Sequence, residues 1–206
     1  MMFLFQQGAF KEPAKQAEVT QEQYNSYTAK ITEAATQFNN AHTILKNAGG
    51  VLESINNSDL EKMAAGFAAA LKGFGEAQSM PGLAAAPASH PPWLETNEKN
   101  SLNYLLQIMP EQGKRALKAK NYEKAIEAFE HLIKLGDNSA LTAYNLAQAY
   151  DYLGLTLKDE GKTKEAKDAF KAAVGHYEKA NKNKMDLPEE QRYKVENDMD
   201  FCKGRI

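Results

Sequence analysis

YNLAQAYDYLGLTLKDEGKTKEAKDAFKAA, residues 144–173, decides the fold. Its apolar residues return every three or four positions, the period of a helix buried along one side. Gly161 divides the stretch into two such helices, since glycine readily takes the left-handed backbone that closes a helix. Small residues stand where a pair of helices would touch: Gly154 in the first and Ala166 in the second. A larger side chain there would overpack the contact by about 1–3 kcal/mol. Phe170 is placed to fill the space between neighbouring pairs, where truncation to alanine costs about 3–5 kcal/mol.

Working upstream, the pattern occurs a second time. Gly113, Tyr122, Ala125, Ile126, Phe129 and Leu132 align with the segment carrying Gly154, Ala166, Phe170 and Ala173, and Ala125 and Ala166 stand 41 residues apart. Such internal similarity is the mark of stacked helical pairs, each of which buries its apolar face only against its neighbour. The run Tyr150, Leu153, Gly154, Leu157, Gly161, Ala166, Phe170 and Ala173 resembles the tetratricopeptide repeat family. The first copy departs from that pattern: Gln112 stands where leucine is usual, Ala116 where a larger residue is usual, and Asp137 where the terminal proline is expected. Glu178 takes the place of that proline in the second copy.

The spacing of 41 exceeds the plain repeat of about 34 residues by nearly two helical turns, which leaves an apolar stripe within about 20 degrees of its direction. Tyr144, Leu146, Ala147 and Tyr150 indeed anticipate Asp151, Leu153, Gly154 and Leu157. One long helix is expected from about Ser139 to Glu160, its first two turns projecting beyond the pair. After the polar Asn181–Lys184, Leu187-Pro188-Glu189-Glu190 opens a last helix with Val195, Met199, Cys202 and Ile206 on one face, read as the cap that repeat arrays need. Cys202 is read there as a packing residue.

Towards the N-terminus, residues 1–19 read as a flexible tail with Phe3, Phe5 and Phe10 among polar residues. From Thr20, the stripe Tyr24, Tyr27, Ile31, Ala34, Phe38, Ala41 and Leu45 predicts a helix that ends at Gly49-Gly50. Ser58 to Glu61 reads as a capping box opening a second helix with Leu60, Met63, Phe67, Leu71 and Phe74. Its glycines predict either close approach of another backbone or fraying after Leu71. Residues 20–79 thus form a helical hairpin or a coiled coil able to pair with a second copy. Residues 80–95, with Pro81, Pro87, Pro91 and Pro92, are expected to be a flexible linker, and Pro110 to kink or restart the helix that follows. The predicted architecture is all-α: an N-terminal hairpin, then a tetratricopeptide-like domain over 96–206 with its C-terminal cap.

The bulk properties narrow function. A net charge of -2, with six Lys and Arg against eight Asp and Glu through Ser79 and nineteen against nineteen thereafter, offers no basic footprint for nucleic acid. Tyr24, Tyr27 and Phe38 lack interleaved arginine and lysine, so they read as core. The longest apolar run, Met63–Leu71, is far short of the roughly 18 residues of a membrane span. The first residues lack the charge and length of a signal peptide, so a cytoplasmic protein is expected, or an exported one whose signal lies outside this sequence. One cysteine excludes an internal disulfide, and His42, His90, His131 and His176 show no ligand spacing. No catalytic motif, metal site or cofactor site is expected; Glu123, Glu127 and Glu130 read as a solvated helix face.

The resemblance implies a concave groove lined by the first helix of each pair. That surface would carry Lys114, Leu117 and Lys118 from the first pair, Gln148, Asp151, Tyr152 and Leu155 from the second, and Tyr144 and Asn145 on the extension. The chain is therefore expected to act without catalysis, as an adaptor or scaffold that holds a protein or peptide segment. Two further readings are a secretion or assembly chaperone shielding an apolar client, and a scaffold resting on a membrane surface through Phe3, Leu4, Phe5 and the alanine- and glycine-rich second helix. Where some family members clamp a C-terminal carboxylate, this chain has Pro110, Lys114 and Tyr152, which do not supply that clamp.

Overall fold

The computed structural model describes residues 18–206, and the tail expected at 1–19 lies almost wholly outside them. The described residues form seven α-helices and no strands: α1 Gln21–Asn47, α2 Asn57–Gln78, α3 His90–Lys118, α4 Tyr122–Lys134, α5 Ala140–Asp159, α6 Thr163–Lys182 and α7 Glu189–Lys203. Each helix packs chiefly on the helices before and after it in the chain, with smaller contacts from α3 to α5 and from α5 to α7. Among the described residues no helix is long and apolar enough to cross a membrane.

Thr20 starts α1 with a reciprocal capping box: its hydroxyl accepts from the Gln23 amide at 3.1 Å, and the Gln23 side chain accepts from the Thr20 amide at 2.8 Å. The box expected at Ser58 does not form. Asn56 caps α2 instead, accepting from the Asp59 amide at 2.9 Å, and Ser58 falls inside the first turn. The two helices run antiparallel, as the small residues show: Gly66 faces Ala41 while Gly73 faces Ala34. A methyl group on either glycine would come within 3 Å of the alanine Cβ opposite, which explains why α2 keeps them and runs on to Gln78 without fraying. Tyr27, Ala34 and Ala41 are buried along the same stripe, so within one chain α2 covers the seam of α1.

The proline-rich segment is packed. Pro81–Ala85 forms a 3-10 turn against α1, in which Gly82 is buried over the Gln23 carbonyl and the Tyr27 side chain. α3 begins at His90, with Pro91 and Pro92 in its first turn, where an amide would have had no partner. His90 Nδ1 lies 3.0 Å from the Tyr27 hydroxyl, tying this start to α1. Pro110 neither ends nor restarts α3. The cost of about 3 kcal/mol for an interior proline is opposed by buried residues on both sides of it: Leu105, Ile108, Met109 and Gly113.

The two turns of α5 expected to project are instead among its most buried. Ala140, Ala143, Tyr144 and Ala147 belong to a core shared with Ala166, Phe170, Ala173 and Tyr177 of α6 and Val195 and Cys202 of α7. Val195 and Cys202 supply the buried face of α7, Met199 is half-buried beside them, and Ile206 is exposed beyond the helix end.

Candidate partner-binding surface

The residues expected to line a groove lie on α3 and α5, and the turn between α3 and α4 sets the head of α4 near them. Lys120 takes left-handed backbone (φ 58°). The amides of Lys120 and Asn121 then donate back to the Leu117 and Ala116 carbonyls, closing α3. Asn121 in turn caps α4, its side-chain oxygen accepting from the Lys124 amide at 3.2 Å. Tyr122 is thereby set at the head of α4, and its ring lies 5.6 Å from that of Tyr152 on α5. Tyr152 remains 38% exposed. Partial burial, followed by the charges of Asp151 and Asp198, holds its hydroxyl above the usual tyrosine range.

Lys114 and Lys118, one turn apart on α3, are exposed. The ion pairs nearby are Arg115 with Glu111 and Lys124 with Glu61, and neither lysine takes part in them. Leu117 between them is half-buried against the core of α3, α4 and α5. Gln148 and Leu155 are also half-buried, Leu155 against the α5–α7 core.

Three of the expected groove residues are not on the surface. Tyr144, Asn145 and Asp151 are 2%, 8% and 7% exposed. The cause for Tyr144 and Asp151 is α7, which lies along α5. The Tyr144 hydroxyl donates to Asp198 Oδ2 at 2.8 Å, and burial with this bond pushes its pKa well above the ordinary range. Asp151 faces Cys202, and burial first, then Asp198, raises its carboxyl above the usual value. Its Oδ1 is buried with no hydrogen-bond partner among the described residues. Burial also pushes the Cys202 thiol up, as suits a packing residue. Of the nine expected residues, Lys114, Lys118 and Tyr152 present their side chains openly. Tyr122, a residue the sequence flagged for the repeat but not for the groove, is half-buried and lies against the Tyr152 ring.

The other polar groups take local roles. Glu130, read as part of a solvated face, accepts the Tyr150 hydroxyl at 2.7 Å; burial, and then this bond, raise that tyrosine to about 12. His176 stacks flat on Tyr150 at 5.8 Å between centroids, and burial lowers its pKa. His42 rests on Phe38 and Tyr104. Among the described residues no group of three or more His, Cys, Asp or Glu side chains could hold a metal ion. Comparison with protein-family models, with curated proteins and with solved structures finds no match for the chain.

Proposed function

We propose that the chain is a non-enzymatic adaptor of the tetratricopeptide kind, holding a segment of another protein on the face formed by α3, the head of α4, and α5. The observation that carries this reading is the half-open Tyr122–Tyr152 pair, rings 5.6 Å apart, with Lys114 and Lys118 exposed on α3. Aromatic rings supply large contact area at low entropic cost, and lysines at the edge steer and orient a partner. The repeat reading is supported by one geometry made twice: Gly113 under the ring of Phe129, and Gly154 under the ring of Phe170. The surface is narrower than a groove reaching Tyr144, because α7 covers that end.

Site-specific photocrosslinking tests the reading. A photoreactive residue at 152 is expected to join the intact chain to a discrete partner in cells, while the same residue at Tyr193, which is 72% exposed on α7, does not. Identical crosslinks from both positions, or none from 152, reject this face as the contact.

A further inference from the structure

Two of the three departures of the first repeat from its pattern, Gln112 and Ala116, lie together one turn apart on α3. Both line a crevice of about 410 Å³ between α2, α3 and α4. Its apolar lining includes Leu60 of α2, Met109 and Ala116 of α3, Ala119 at the end of α3, and Ala128 of α4. In the second repeat, 41 residues on, Leu153 and Leu157 stand in place of Gln112 and Ala116. The first helical pair therefore lacks, at adjacent turns of α3, two isobutyl groups that the second pair possesses. The volume lies within the range of ligand pockets.

The edges of the crevice are fixed and electrically balanced. Arg115 holds α3 to the α1–α2 connection by donating to the carbonyls of Leu52 and Ile55, and it also pairs with Glu111 one turn earlier on α3. Lys124 of α4 reaches across to Glu61 of α2 at 3.1 Å. The lining holds Arg115 and Lys124 against Glu61 and Glu127, so charge complementarity favours an uncharged occupant. Gln112 donates to the Leu60 carbonyl at 3.1 Å through Nε2, which leaves its Oε1 as an acceptor for an amide.

From these observations we infer that the α2–α3–α4 crevice is a second binding site, which takes a leucine-like side chain of an uncharged peptide segment. The side chain fills the volume left at Ala116, and the adjoining peptide N–H donates to Gln112. This site is separate from the Tyr122–Tyr152 face and does not depend on the function proposed for it.

The probe is N-acetyl-leucine methylamide, titrated into the full chain and followed through the methyl signals of Ala116, Ala128 and Met109. Saturable shifts confined to these groups are expected, with affinity at least about tenfold above that of the alanine, lysine and glutamate analogues. Ala116→Leu is expected to raise Tm and to weaken the leucine probe at least about tenfold. A mere packing defect would give the rise in Tm without any leucine preference in the natural chain. The inference is overturned by that outcome, by equal shifts with the charged analogues, or by binding that survives in Ala116→Leu. Should Ala116→Leu not fold, the analogue series in the natural chain decides alone.

Discussion

Gly154 lies beneath the ring of Phe170, close enough that a methyl group on its α-carbon would stand 2.8 Å from Cε1. Gly113 has the same relation to Phe129. Gly175, on the same α6 helix as Phe170, has no atom within 4 Å of where its Cβ would be. Gly154→Ala is therefore expected to destabilise by about 1–3 kcal/mol through displacement of the ring. Gly175→Ala should stabilise by up to about 1 kcal/mol, the ordinary helical gain. Urea unfolding of the two variants checks the pair; equal effects would remove the close contact from the account of the fold.

The all-α class and the positions of most helices were legible because apolar period and glycine spacing are local signals. What the sequence hid was tertiary. Pro91 and Pro92 look like breakers, yet a helix tolerates proline in its first turn, and only the contact of His90 with Tyr27 reveals that a helix begins there. The early turns of α5 carry the same stripe whether they project or are covered, so Tyr144, Asn145 and Asp151 could not be assigned to surface or core without α7. Asn56 and Ser58 are both good caps two residues apart, and backbone geometry chose Asn56. The crevice was visible only as two odd residues, Gln112 and Ala116, one turn apart on α3; that α2 and α4 leave a space beside them no pattern along the chain could show.

The segment between α2 and α3 is a packed element, and Gly82 tests it. A Cβ at this position would lie 2.5 Å from both the Gln23 carbonyl oxygen and the Tyr27 Cβ. Because one obstacle is backbone, the clash cannot be relieved by a rotamer change. Gly82→Ala is expected to cost about 1–3 kcal/mol, whereas a flexible linker would accept it freely. Thermal unfolding of the full chain distinguishes the two.

The turns of the two repeated pairs each lack what the other has. Gly161 takes left-handed backbone at φ 78° where the first turn uses Lys120 at φ 58°. Asn121 caps α4 through its side chain, where Lys162 at the start of α6 provides no such bond. Exchange of the better residue into each turn should stabilise the fold. Lys120→Gly relieves a left-handed L-residue, with a net gain of about 0.5–1 kcal/mol after the entropy of glycine in the unfolded chain. Lys162→Asn adds a cap worth about 1 kcal/mol. Each should raise Tm by about 1–4 °C, and because the sites lie in different turns the double variant should show the sum.

Asp151 makes stability fall as pH rises. Burial, reinforced by Asp198 and opposed by the Cys202 thiol and Arg205, lifts its carboxyl above the ordinary value of 3.8. A carboxyl raised in the folded state keeps its proton longer there than in the unfolded chain. The stability of the protonated form is thus fully present below that ordinary value and is lost as pH rises through the folded one. Asp151→Asn removes this dependence, since the amide carries no charge to bury. The variant is expected to be more stable than the natural chain at about pH 8, by a margin that narrows towards about pH 4. Urea unfolding across that range measures the margin. A constant difference would mean that Asp151 titrates as a solvated carboxylate, and a variant less stable throughout would mean that its charge is held by a partner, such as Arg205, that the amide cannot replace.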